Sequence, residues 1–324
     1  MIKIFNLIFG RLINLCLTGL QMEETIHTDT FLSNFATAYN IEGYVADFIA
    51  PPFKVKRPSD KYAEYTKSSQ RVYENKVSGR TRAKEINWDV SSSTYSCERY
   101  KLAFGVEDQI AANADNPIDL KKDATKQVKK SQALAREYRI SSVVTNASVI
   151  TQTVDASGDW NNKTNGTPVA DILTGMKTIY QSTGMQPNRI VIPYSVAIEA
   201  IKTDEWKDYF KYTGNASIWN LLSGLKNLGL DGKIAGSFGL STYEGTASDP
   251  AMEELYGENV LLFYAEPKPT LQTRTFMYSP FTYMNKMYVI REEREETTFY
   301  EIREEIDELM VDATCAYLIT NTLT

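Results

Sequence analysis

The side chains best placed for acid–base chemistry are carboxylates in adjacent pairs, Glu292/Glu293 and Glu304/Glu305. A general acid and a general base could be drawn from such pairs. Successive residues of a strand face opposite sides, however, so neither pair converges on one point; both read as solvated acidic surface. His27 is the single histidine, in a polar N-terminal setting that suits a solvated residue. One imidazole removes most Ser-His-Asp, Cys-His and His-ligated metal arrangements. Cys16, Cys97 and Cys315 are widely separated, odd in number and without metal-ligand spacing, which suits buried, inert thiols in a reducing compartment. Gly229, Gly232, Gly236 and Gly239 fit neither a dinucleotide fingerprint nor a phosphate loop and read as turns. No catalytic, cofactor or metal site is expected.

The 324 residues are 43% hydrophobic and 23% charged, ordinary for a globular chain and enough for one large core or two subdomains. A net charge of −6 argues against a dedicated nucleic-acid binder. The charge is unevenly distributed. Lys54 to Lys101 holds 12 Lys/Arg against 6 Asp/Glu, whereas Arg291 to Asp312 holds 3 Arg against 10 Asp/Glu. Such a chain either exposes two solvated faces that never meet or lays its basic arm on the acidic surface of an identical neighbour. The basic candidates are Lys76, Arg80, Arg82 and Lys84; the acidic ones are Glu292, Glu293, Glu295 and Glu296. Met1 to Leu20 is apolar but interrupted by Arg11 and Asn14, too broken for a membrane span. It reads as a false start before Met22, as an arm that docks on a neighbour, or as a signal peptide, in that order. The sequons at Asn146, Asn162, Asn165 and Asn215 matter only in the last case.

The elements that must position these groups are legible in part. Phe31, Phe35 and Tyr39, then Tyr44, Val45, Phe48 and Ile49, form short apolar patterns that Pro51-Pro52 ends. Tyr100, Leu102 and Phe104 alternate as in a strand. The Tyr/Val/Thr/Ser-rich stretch before them suggests a long polar hairpin with Ser78-Gly79-Arg80 at its tip, which needs another surface to lie on. Asp115 or Asn116 caps, and Pro117 opens, a helix reaching about Ala147. Its expected buried face is Leu120, Ala124, Val128, Ala135 and Tyr138; Lys121, Lys122, Lys126, Lys129 and Lys130 form a solvated face. From Ser157 to Ile201 a compact α/β unit follows. Thr167 caps a helix begun by Pro168, with Ile172, Met176, Ile179 and Tyr180 on one face. Gly184 stops it, Ile190-Val191-Ile192 is a buried strand, and Val196, Ala197, Ala200 and Ile201 restart a helix. A helix over 218–228 and strands at 233–235, 259–265, 284–290, 297–303 and 314–319 complete an α+β chain.

Several stretches, in this order, resemble the major capsid proteins of tailed bacteriophages, the Hong Kong 97-like fold. They are Tyr100-Lys101-Leu102-Ala103-Phe104 with Val106-Glu107-Asp108 and Ala114-Asp115-Asn116-Pro117; Gly158-Asp159-Trp160; the 168–183 helix with Thr183-Gly184 and Pro187-Asn188-Arg189-Ile190-Val191-Ile192; and Ala316-Tyr317-Leu318-Ile319. The resemblance runs from about Asp47 to Asn321. It implies an N-terminal arm over 1–52, an extension-loop hairpin over 53–105, a peripheral domain over 106–159 with spine helix 117–147, an axial domain over 160–268, and peripheral strands over 269–324.

The function so implied is a virion protein, assembled in the host cytoplasm, whose homo-pentamers and homo-hexamers build an icosahedral shell around double-stranded DNA. The implied partners are itself, a separate scaffolding protein, a portal protein and non-specifically contacted DNA, with no membrane. About 45 residues precede the fold, too few for the fused scaffolding region of some members; hence the separate scaffold. Some members crosslink covalently through Lys and Asn side chains; Lys76 or Lys84 near the hairpin tip are candidates here, but nothing pairs them with a partner, and no crosslink is expected. A nanocompartment shell around an enzyme cargo shares the fold and is the alternative; a soluble enzyme is remoter.

Overall fold

A proline and an asparagine delimit the longest element. The computed structural model describes residues 27–39, 41–65, 72–77, 79, 82–83, 85, 90–113, 117–209, 211, 218–240 and 252–324. Within it the helix Pro117–Val144 runs 28 residues, about 42 Å at 1.5 Å per residue. It stops three residues before Ala147 because Asn146 closes an Asx turn, its side chain accepting from Ser148 N at 2.9 Å. Asp115 and Asn116, the expected caps, and residues 1–26 lie outside the described residues.

In chain order the strands are β1 (His27–Thr28), β2 (Pro52–Lys54), β3 (Ser59–Tyr65), β4 (Val90–Ser96), β5 (Glu98–Glu107), β6 (Thr153–Asp155), β7 (Arg189–Pro193), β8 (Asp231–Ala235), β9 (Phe238–Leu240), β10 (Met252–Glu254), β11 (Val260–Phe263), β12 (Met277–Glu292), β13 (Thr297–Ile306), β14 (Leu309–Met310) and β15 (Ala316–Thr320). A six-stranded sheet has the order β1-β12-β13-β5, with β2 and β14 also on β12. The long helix lies across its β13 and β5 side. A five-stranded sheet, β6-β15-β11-β7-β8, carries the helix Pro168–Thr183. Two ribbons, β3-β4 and β9-β10, stand apart. The chain is thus a mixed helix-and-sheet protein.

The α/β unit is built much as its sequence suggests. Pro168 occupies the first turn and Gly184 ends the helix at φ 74°, the left-handed conformation glycine adopts without strain. The Thr167 side chain makes no capping bond; Glu205 supplies the acceptor instead, taking Val169 N at 2.8 Å. Ile172 and Ile179 are buried beside Trp160, whose Nε1 donates to Asp171 at 2.8 Å. Tyr180 points outward instead of inward. At Gly175, an added Cβ would lie 2.6 Å from the Tyr317 ring, so this close approach of helix to β15 requires glycine.

The buried stripe of the long helix departs from expectation. Ala124 and Val128 are buried, but Ala135 and Tyr138 are exposed, and the stripe continues through Gln132, Arg136, Glu137, Ile140 and Val144. Hydrophobicity misreads this half because the helix buries polar groups that have partners. Lys129 also leaves the expected solvated face: its ammonium bonds Asn285 Oδ1, and burial lowers its pKa. Glu304 and Glu305 are buried as well, at 2% and 7% exposure, not solvated. Gln132 donates to Glu304, while Arg99 Nε (2.8 Å) and the Thr282 hydroxyl donate to Glu305.

The thiols of Cys97 and Cys315 are unpaired and buried, and burial pushes them up to about 11 and about 12. Little thiolate exists at neutral pH. In native protein treated with iodoacetamide, peptides containing Cys97 and Cys315 should stay unmodified by mass spectrometry and become alkylated only in denaturant.

Candidate assembly interface

The charged side chains gather around the long helix, where they hold segments together. Glu137 is fully buried. Its carboxylate accepts from Val45 N (2.9 Å), Ala46 N (2.8 Å) and the Tyr256 hydroxyl (2.9 Å). Burial raises its pKa, with these donors working the other way. The preceding residue, Arg136, bonds Asp47, the Ala50 carbonyl (3.3 Å) and Ser279 Oγ (3.2 Å). Arg139 grips Glu308 through Nε and Nη2, the latter at 2.6 Å, and its guanidinium stacks 3.7 Å from the Tyr100 ring centroid. The helix thereby fastens residues 45–50, β5 and the segment after β13 into one frame. A cavity of about 380 Å³ beside it is lined by Asp47, Lys129, Arg136, Glu137, Lys233 and Glu304, among others. Its charges are mixed: Asp47 pairs with Arg136, Lys129 bonds Asn285, Glu304 accepts from Gln132, and Lys233 lies over the Phe48 ring. Among the described residues no group of three or more His, Cys, Asp or Glu is arranged to hold a metal ion, and no helix is long and apolar enough to cross a membrane.

A second charged contact lies near the C-terminus. Burial pushes the Asp312 carboxyl up, but the Thr314 hydroxyl and the Arg274 guanidinium (2.7 Å) outweigh it and hold it below its usual value. A depressed carboxyl contributes stability that is present above its unfolded pKa and lost as pH falls through its folded one. The melting-temperature gap between the protein and Arg274→Met should therefore be widest above about pH 4 and close on acidification, measured by thermal unfolding from pH 7 to pH 2. A gap independent of pH would contradict the ion pair.

Much of the acidic excess counted over 291–312 is neutralised inside the chain, which neither sequence reading of that excess anticipated. β5 lies beside β13 with Arg99 opposite Glu305 and Ala103 opposite Glu301. Arg99 reaches Glu305, Arg303 pairs with Glu301 at 2.7 Å, and Lys101 comes within 3.9 Å of it. The excess that remains free is Glu292, Glu293, Glu295 and Glu296, all exposed at the β12–β13 turn. Glu296 takes a left-handed φ of 49°, and its carbonyl accepts from Asp108 N at 2.9 Å. Of the basic candidates, Lys76 and Arg82 are exposed, and Arg80 and Lys84 lie outside the described residues.

The register shows where these groups stand. Glu107 pairs with Thr297 at the acidic-turn end of the sheet, and Glu98 pairs with Ile306 at the hairpin end. Nine residue steps, about 30 Å, separate the two ends. The hairpin itself is β3 with β4, Ser59 opposite Ser96 through Tyr65 opposite Val90. Its base is anchored by Tyr62 and Tyr95 in a small cluster with Val55 and Cys97, against Phe53, Leu271 and Leu309. Residues 98–107 belong to the main sheet.

Sequence reasoning missed the exposure of β5. The alternation of Tyr100, Leu102 and Phe104 marks a strand, yet Leu102 and Phe104 are 39% and 44% exposed. A period-two pattern shows which residues share a face, but not whether the same chain covers that face.

No family model matches the chain, and no curated protein matches it. Solved structures do. A phage-related protein from Bordetella bronchiseptica superposes with TM-score 0.70 at 21% identity, over 92% of this chain and 98% of that one. The mature capsid of bacteriophage PhiM1 gives TM-score 0.54 at 8% identity, over 88% and 89%. A virus-like particle from Pyrococcus furiosus gives 0.51 at 10% identity, over 89% and 95%. The chain shares the fold of phage capsid proteins over most of its length, as the resemblance in its sequence implies.

Proposed function

We propose that this chain is the major capsid protein of a tailed phage, a non-enzymatic protein that self-assembles into a closed shell. The likeness to the PhiM1 mature capsid over nearly nine-tenths of both chains carries this reading. The polar hairpin supports it, because a two-stranded ribbon held by the Tyr62–Tyr95 cluster and by Ala63 N–H on the Leu271 carbonyl (3.0 Å) needs a further surface beyond these contacts. In Hong Kong 97-like terms, the hairpin is the extension loop, Pro117–Val144 the spine, the region around the five-stranded sheet the axial domain, and the six-stranded sheet the peripheral domain. Pentamers and hexamers closed by head-to-tail contacts tile the shell, which encloses double-stranded DNA and places the protein in the virion after assembly in the host cytoplasm. The partners are further copies of the chain, a separate scaffolding protein and a portal protein. Lys76, Arg80, Arg82 and Lys84 meet Glu292, Glu293, Glu295 and Glu296 between copies, since within one chain the hairpin joins the sheet at Glu98, nine residues along β5 from Glu107 beside the acidic turn.

A nanocompartment shell is the second reading, favoured by the virus-like particle from Pyrococcus furiosus. Particle contents separate the two. Purified native particles holding long DNA support the capsid, and particles holding a folded protein cargo support the compartment. Expression of the chain without a scaffold should give irregular or no shells; uniform shells of one size would contradict the separate scaffold.

A further inference from the structure

The cavity beside the long helix lies where four parts of the chain meet without filling the space between them. Lys129 comes from the long helix, Lys233 from β8 of the five-stranded sheet, Asn285 from β12 of the six-stranded sheet, and Tyr39 and Tyr44 from the N-terminal segment. Its volume of about 380 Å³ falls in the range of small-molecule sites, about 300–1,000 Å³.

The acidic groups on its wall are already engaged. Asp47 pairs with Arg136, Glu304 accepts from Gln132, and Glu137 holds the N–H groups of Val45 and Ala46 and the Tyr256 hydroxyl. The two lysines are in the opposite position. Lys129 Nζ donates to the neutral amide oxygen of Asn285, and Lys233 Nζ lies 5.0 Å from the Phe48 ring centroid. Among the described residues no carboxylate oxygen comes within 4.0 Å of either nitrogen. Each ammonium carries three donors and no acceptor, so most of this donor capacity is unused. Burial lowers the Lys129 pKa although Glu304 and Asp47 act against it from further off, as expected of a desolvated cation short of counter-charge.

The strand is shaped to bring a further donor here. The register of β12 on β13 slips between Tyr283 and Lys286, and Asn285 takes a left-handed φ of 55°; such irregularities re-aim a side chain. With its Oδ1 on Lys129, Asn285 keeps its Nδ2 as a donor. A wall of two ammonium groups, an amide N–H and tyrosine hydroxyls suits a ligand that only accepts, and a doubly charged oxyanion matches the two cations.

We propose that this cavity binds a phosphate group, free or carried by a small molecule such as a nucleotide, between the ammonium groups of Lys129 and Lys233, with the Asn285 amide as a further donor. Because the two lysines stand on the long helix and on the five-stranded sheet, the bound phosphate ties these two parts of the chain together. The inference does not depend on the shell reading.

The test is thermal unfolding of the full chain in phosphate against chloride of equal ionic strength. Inorganic phosphate at about 10 mM should raise the melting temperature by about 2 °C, the shift given by a ligand at roughly ten times its Kd on a chain of this length. Lys233 is exposed, so Lys233→Met keeps the fold, and it should abolish the shift, as should Lys129→Met. Lys177→Met, exposed on the helix Pro168–Thr183, should leave the shift intact. An equal rise in chloride, or a phosphate shift that survives Lys233→Met, overturns the site. Equilibrium dialysis with radiolabelled phosphate should saturate at one phosphate per chain, and the absence of saturable binding also overturns it. Adenosine monophosphate separates the two sources: a larger shift than inorganic phosphate assigns the group to a nucleotide, and an equal or smaller one to free phosphate.

Discussion

A chain in which residues 63–92 are replaced by Asn-Gly stays folded and forms no shells. The replacement keeps the pairs from Ser59 opposite Ser96 to Tyr62 opposite Ser93 and closes them with the dipeptide suited to a two-residue hairpin turn. Tyr62 and Tyr95 therefore remain in the cluster that anchors the base. What is lost is the polar ribbon beyond them, whose exposed serines at 91 and 92 and short Ala63 side chain add little to the monomer core. The melting temperature should shift by no more than about 2 °C, corresponding to roughly 1 kcal/mol for a chain of this length. Particle formation, read by sedimentation velocity with the scaffold present, should fall below detection. Shells of normal size from the shortened chain would show that the hairpin is dispensable for assembly.

Glu137→Ala has the opposite signature, because it damages the monomer itself. The substitution leaves the buried N–H groups of Val45 and Ala46 and the Tyr256 hydroxyl without their acceptor. Each buried donor so orphaned costs about 1–3 kcal/mol. The loss of the carboxylate's own desolvation cost, which raises its pKa, offsets part of this. A net destabilisation of about 3–5 kcal/mol is expected, measured by urea unfolding. Tyr256→Phe removes a single donor, leaves both backbone bonds in place and should cost only about 1 kcal/mol. Equal losses in the two variants would mean that the backbone donors at 45 and 46 find other acceptors. That outcome would remove Glu137 as the fastener between the long helix and the N-terminal segment.

The elements most legible in the sequence were those fixed by local chemistry. Pro168 and Gly184 bracket their helix because a fixed φ suits its first turn and a positive φ its last. Ile190 to Ile192 and residues 259–265 read as buried strands, and the strand formed at Val260–Phe263 pairs with the first in the five-stranded sheet. Long-range partners were not legible. Ala135 and Tyr138 were expected inside because apolar residues usually are; Arg136 and Glu137 displace them because Asp47 and the backbone at 45–46, some 90 positions away, supply their bonds. Glu304 and Glu305 looked solvated for the same reason, since Gln132 and Arg99 reach them only through the fold. Charge segregation was visible by counting, but the part neutralised within the chain appears only once β5 is registered on β13. The β5 face was legible as a strand and illegible as a surface, because alternation marks which residues share a face and not whether the chain covers it.

Electron microscopy of the full chain co-expressed with its candidate scaffolding protein should show closed icosahedral particles built from pentamers and hexamers of this chain. A well-behaved monomer under every condition, with no shells in any field, would contradict self-assembly into a shell.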